Sequence, residues 1–120
     1  MTQGQMESKI CEAVIRFEKD YMGRGPLETK TYIIDDLILV RLKGVLTKAE
    51  QQLAASQDPS NGKKLIKQVR RELLEGGKSL LEASIKEITG QEVLSLHTDI
   101  STTTGERVII FTLSTKLVFD

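Results

Sequence analysis

Only Asp35-Asp36 separates two runs of strand-forming residues, TKTYII and LILVRL. β-Branched and aliphatic side chains suit an extended backbone, and so short a connection makes antiparallel pairing the natural outcome. Asp tolerates turn geometry, although Asp-Asp is a weaker hairpin signal than Asp-Gly. A second pair, EVLSLHTDI and RVIIFTL, is joined by STTTGE, whose Gly105 suits a hairpin loop. Leu37, Ile38, Leu39 and Val40 are apolar in succession, which predicts a central strand covered on both faces.

The remaining segments carry helical periodicity. From about Gln5 to Tyr21, Met6, Ile10, Val14, Phe17 and Tyr21 recur every three or four residues and form one stripe. Cys11 and Ala13 border it, so the thiol reads as a packing group. Gly23 and Pro26 stop this helix. Thr47 and Glu50 have capping-box spacing ahead of a short helix over about Lys48–Ala55, with Ala49, Leu53 and Gln52 turned inward. Asp58 caps a second long helix with Pro59 at its first position, and Gly90 ends it. Its expected inward stripe is Leu65, Val69, Leu73, Leu80 or Leu81, Ser84 or Ile85, and Ile88. Gly76-Gly77 predicts a kink or a close approach by another backbone.

The order α-β-β-α-α-β-β segregates strands into hairpins, which defines an α+β fold, not a doubly wound one. The 120 residues make a single domain. The simplest packing is two-layered, a four-stranded antiparallel sheet with helices on one face. A second apolar sheet face, composed of Leu37, Leu39, Val93, Ile109, Phe111 and Leu113, would need a cover that a homodimer could supply. The tail STKLVFD is expected to extend the sheet edge or swap onto a neighbour.

Seventeen basic residues balance seventeen acidic ones, which argues against a general nucleic-acid binder. The single Cys11 favours a reducing compartment, no run spans a bilayer, and MTQGQMESKICEAV lacks the pattern of a signal peptide. A cytoplasmic location is expected.

Three groups of residues could carry function. In Gly23-Arg24-Gly25-Pro26, backbone N–H groups and the guanidinium could hold a carboxylate, bicarbonate or phosphate. Alternatively the glycines shape a corner and Arg24 pairs within its own chain. The segment leads into a strand and lacks the Lys-Ser/Thr ending of a nucleotide P-loop. His97 and Asp99 lie two apart on a strand and share a face, the geometry of a proton relay or of a simple edge pair. With one His and one Cys in the chain, no zinc spacing exists and no metal or cofactor is expected. Lys63, Lys67, Arg70 and Arg71, with Lys64 close by, suggest a basic helical face. That face would suit phosphate, membrane headgroups or nucleic acid, or would simply be solvated beside Glu72 and Glu75. No nucleophile-elbow pattern is present, and no enzymatic activity is expected.

GRGP before a strand, VRLKGVLTKAEQQLA, VRRELLEGGKSLLEASIKEITGQEV and DISTTTGERVIIFTL occur in this order. Together they resemble the MpsC family, described as a subunit of a Na+-translocating, membrane-potential-generating system, from about Met6 to Leu113. The matching positions are Gly23, Arg24, Gly25, Pro26, Gly44, Leu46, Thr47, Glu50, Arg70, Gly90, Asp99 and Phe111. Arg24, Arg70 and Asp99 are the polar members hardest to explain by turn or core structure. The resemblance implies a peripheral or regulatory component with an integral membrane partner, since a route across lipid needs spanning helices or a closed barrel.

Overall fold

The computed structural model describes the whole chain, Met1–Asp120. Seven elements follow one another: α1 (Gln3–Met22), β1 (Glu28–Ile34), β2 (Leu37–Lys43), α2 (Lys48–Ala54), α3 (Pro59–Thr89), β3 (Val93–Ile100) and β4 (Arg107–Leu113). The strands form one antiparallel sheet in the order β1-β2-β4-β3. Each hairpin pairs with itself, and the two hairpins join through β2 and β4. The fold is α+β.

Side-chain alternation decides which sheet face is covered. Ile38, Val40 and Leu42 of β2 are buried, as are Arg107, Ile109, Phe111 and Leu113 of β4. They meet Ile10, Val14 and Phe17 of α1 and Ile66, Leu74, Leu81 and Ile85 of α3 in a single core. Phe111 is fully buried, and truncating it to Ala would cost about 3–5 kcal/mol.

Alternation also corrects the expectation of a strand covered on both faces. Leu37 and Leu39 point away from the helices and stay partly exposed. They share that outward face with Tyr32, paired to Leu39, and Ile110, also paired to Leu39 from the other side. Ile109, Phe111 and Leu113 belong to the covered face, and Val93 packs against the core, so the expected second apolar face mixed residues from both sides.

The helix α3 runs unbroken through Gly76-Gly77 for 31 residues, about 46 Å. Gly77 is where α1 crosses: a Cβ there would sit 2.6 Å from Phe17 Cε2 and 3.0 Å from Tyr21 Cε1. Close approach, and not a kink, explains that glycine. The inward stripe of α3 is Ile66, Arg70, Leu74, Gly77, Leu81 and Ile85. Of the expected stripe, Leu65, Val69, Leu73 and Leu80 are exposed, whereas the alternatives Leu81 and Ile85 are buried and Ile88 packs against the core. Two adjacent apolar stripes run along this helix, and periodicity alone does not say which one meets the sheet.

In α2, Glu50, Leu53 and Ala54 turn inward, whereas Ala49 and Gln52 are exposed, a shift caused by the direction in which α2 leans on α3. The tail does not extend an edge of the sheet. Leu117 is buried, and its N–H donates to the Asp35 carbonyl at 3.3 Å, so the tail folds back over the β1–β2 turn. Cys11 lies half-buried with its Sγ 3.0 Å from Thr31 Oγ1, as a packing thiol.

Candidate functional site

Four ionisable residues from four elements converge where the helices meet the sheet. Glu18 (α1), Arg70 (α3) and Arg107 (β4) are almost wholly buried, and Glu50 (α2) is partly so. Arg70 forms a two-pronged pair with Glu50, Nε to Oε2 and Nη2 to Oε1, both at 2.7 Å. Its Nη2 also donates to the Val45 carbonyl at 2.8 Å. Arg107 Nη1 donates to Glu18 Oε2 at 3.3 Å, and its Nε donates to Thr98 Oγ1 at 3.2 Å. Arg70 Nη1 lies 3.6 Å from Glu18 Oε1 and has no hydrogen-bond acceptor although it is buried.

Local structure explains how each group arrives. Glu50 is the third helical residue of α2, and its Oε1 accepts from the Thr47 N–H at 2.9 Å, closing a capping box. The same carboxylate therefore caps the start of one helix and neutralises an arginine on the next. Gly62 lets α2 dock that closely, since a Cβ there would lie 2.0 Å from the Leu53 carbonyl oxygen. Arg70 is in phase with Ile66 and Leu74, Arg107 with Ile109 and Phe111, and Glu18 with Ile10 and Val14. A charge in phase with an apolar stripe is the sequence signal for burial, and it was available for Glu18 and Arg107, which motif reasoning passed over.

Burial costs a charge its hydration, so these groups are held only by one another. For Glu18 burial dominates and raises the carboxyl above its ordinary range, although Arg107 and Arg70 pull it down. Burial also lowers Arg107, with Glu18 opposing. For Glu50 burial acts upward but is outweighed by the Arg70 hydrogen bonds and charge and by the Thr47 N–H, leaving it below the ordinary range.

A cavity of about 70 Å³ opens onto this cluster between α3 and the β3–β4 hairpin. Arg70 and Arg107 lie in its wall with Thr98 and Ile100, and Lys67, Arg71 and Asp99 also line it. Lys67 Nζ pairs with Asp99 Oδ1 at 3.3 Å, the lysine half-buried and the aspartate exposed. The Ile100 N–H, which donates to Asp99 at 2.8 Å, does most to hold that carboxyl below its ordinary value. Of the four cationic side chains that line the cavity, Arg70 and Arg107 are paired with Glu50 and Glu18 and Lys67 with Asp99, which leaves Arg71 as the one without an ion-pair partner.

Of the residues singled out beforehand, Lys67, Arg70, Arg71 and Asp99 line this one cavity. Gly23, Arg24 and Gly25 do not. Arg24 Nη1 donates to the Leu46 carbonyl at 3.1 Å and Nε to the Gly25 carbonyl at 3.3 Å, bracing the loop ahead of β1 against the segment entering α2. The basic face loses a member, because Arg70 is 3% exposed and points into the cluster, not to solvent. His97 stays exposed on the outward sheet face. No group of three His, Cys, Asp or Glu side chains is placed to hold a metal ion, and no helix is long and apolar enough to cross a membrane.

The family model for "Na+-translocating membrane potential-generating system (MpsC)" matches residues 2–115. The chain belongs to the MpsC family. A relative, the "Uncharacterized protein YbcI" of Bacillus subtilis (strain 168), is 46% identical over 116 residues, covering 97% of this chain and 91% of that protein. No solved structure matches. Several positions of the MpsC resemblance acquire a joint physical role here. Thr47, Glu50 and Arg70 form one bonded unit, and Leu46 supplies the carbonyl that Arg24 grips.

Proposed function

We propose that this MpsC chain is a cytoplasmic accessory module without an enzymatic reaction, which binds a small oxyanion or carboxylate in the Arg70–Arg107 cavity. It passes that occupancy to a protein partner of a membrane-potential system. The observation that carries the reading is a cavity lined by Arg70, Arg107 and the unpaired Arg71, with a buried Arg70 Nη1 that lacks an acceptor. An anion in such a place meets charge-assisted donors in a medium of low dielectric, where each is worth more than in water. Because the cluster joins α1, α2, α3 and β4, ligand charge would be felt by every helix. The link to membrane energetics comes from the family description, and a peripheral role fits helices too polar to span lipid. The module acts as a homodimer, which covers apolar surface that the single chain leaves exposed.

The test is a thermal-shift series with bicarbonate, phosphate and acetate against chloride at matched ionic strength. At least one anion should raise the melting temperature saturably, and Lys67→Ala combined with Arg71→Ala, both at the rim, should abolish the rise while keeping the fold. No anion-specific shift in the unmodified protein would refute the reading.

A further inference from the structure

The two carboxylates of the cluster are not served equally. Glu50 accepts two hydrogen bonds of 2.7 Å from Arg70 and one of 2.9 Å from the Thr47 N–H. Glu18, 1% exposed, accepts one of 3.3 Å from Arg107 Nη1. Its Oε1 lies 3.6 Å from Arg70 Nη1, beyond hydrogen-bond length. A carboxylate keeps its charge away from water only where donors replace its hydration. Glu18 is the one with too few, and burial holds its carboxyl above the ordinary 4.5 against the pull of Arg107 and Arg70.

The arginines that face Glu18 also line the cavity. Arg107 joins the two places, since its Nε donates to Thr98 Oγ1 in the cavity lining and its Nη1 donates to Glu18. An anion in the cavity and the Glu18 carboxylate therefore compete for the same guanidiniums. With Glu18 ionised, Arg70 and Arg107 face two carboxylates, and the cluster offers an entering anion no net charge. With Glu18 protonated, one positive charge is left over. Two negative charges beside one pair of arginines repel strongly at low dielectric, and a proton on one of them removes the repulsion. The other charge that reaches Glu18 is Glu50 of α2, which pushes it in the same direction. The inward positions of β1, β2 and β3 hold no ionisable side chain.

We propose that anion binding in this cavity is coupled to protonation of Glu18, so that one anion and one proton from solvent are taken up together. The proposal rests on the anion reading above and adds its control by pH. Coupling is reciprocal: the anion raises the proton affinity of Glu18, and the proton raises the affinity for the anion. At low pH Glu18 is protonated with or without the anion, and at high pH it is ionised in both states. Between these limits each anion brings a proton, and affinity falls as the pH rises. Asp99 and Glu50 are held below their ordinary values and stay ionised across this range.

Isothermal titration calorimetry of the full chain tests this with sulfate and with nitrate, whose charges are fixed between about pH 5 and about pH 8, so any proton taken up belongs to the protein. Runs in buffers of different ionisation enthalpy should report uptake of up to about one proton per anion, with affinity dropping up to about tenfold per pH unit in the coupled range. Glu18→Gln, the neutral shape of the protonated side chain, should bind without proton uptake and with an affinity that no longer falls as the pH rises. His97→Gln, on the outward sheet face, should keep the uptake of the unmodified protein. Circular dichroism checks that both variants fold. Should Glu18→Gln not fold, the carboxyl carbon NMR shift of Glu18 in the unmodified protein, with and without sulfate, still locates the proton. Anion binding with no proton uptake, or uptake that persists undiminished in Glu18→Gln, would overturn the coupling and leave the anion reading standing. No binding of either anion at any pH would remove the anion reading and the coupling with it.

Discussion

Glu50 and Arg70 share two hydrogen bonds of 2.7 Å across the junction of α2 and α3. The same glutamate caps α2 through the Thr47 N–H. Removing its charge leaves a buried guanidinium without its ionic partner, while a glutamine there can still accept from the Thr47 N–H, as Gln5 does from the Thr2 N–H in α1. Glu50→Gln should destabilise the protein by about 3 kcal/mol, at the low end for breaking a buried pair because Glu50 keeps some solvent contact. Urea unfolding with an unchanged m-value would measure it.

The sign of the pH dependence follows from the same contact. The native Glu50 carboxyl is held below its ordinary 4.5. Below that value the unfolded chain binds a proton that the native chain still refuses, so stability falls with pH until the native carboxyl also protonates. The melting-temperature gap between the unmodified protein and Glu50→Gln should hold steady at neutral pH. It should narrow as the pH drops from about 4.5 through the depressed native value. A gap that widens on acidification would contradict the assignment.

Glu18 and Arg107 are both nearly inaccessible, so each alone is worse than neither. Glu18→Leu should cost about 3–5 kcal/mol, and adding Arg107→Met should recover part of that loss. A double-mutant cycle on chemical denaturation reads the coupling directly. Additive losses would mean that the 3.3 Å contact contributes little.

The consecutive glycines of α3 should respond with opposite signs in dilute protein. Gly77→Ala pushes a methyl group into Phe17, 2.6 Å away, and should destabilise by about 1–3 kcal/mol. Gly76→Ala enters open space and should stabilise by up to about 1 kcal/mol. Thermal melts at a concentration where the chain is monomeric separate the two.

Arg24→Ala removes donors to the Leu46 and Gly25 carbonyls, contacts of net worth about 1 kcal/mol each. The melting temperature should fall modestly, and any anion-induced shift should persist. Loss of that shift with unchanged stability would instead make Arg24 a ligand-binding residue.

Element order, both hairpins, the helix caps and the α+β class were legible in local sequence, because turns, caps and strand alternation depend on neighbours a few residues away. Thr47 with Glu50 and Asp58 with Pro59 announced their helices in this way. Arg70 and Asp99 could be singled out as polar positions, but not placed in one cavity, since 29 positions of chain separate them and only the folding of α3 against β3 brings them together. Periodicity likewise found apolar stripes on α3 without ranking them. The choice between Leu65–Val69–Leu73 and Ile66–Leu74–Leu81 belongs to tertiary packing, where a helix rotates to bury the stripe that best fits the sheet and α1. The same rotation carried Arg70 inward, and a charge that looked solvated became the centre of a buried network. Local sequence specifies which segments form and where they end, because those are short-range free energies. Which face meets which is set by the summed burial of the whole core, a quantity that exists only once the layers have come together.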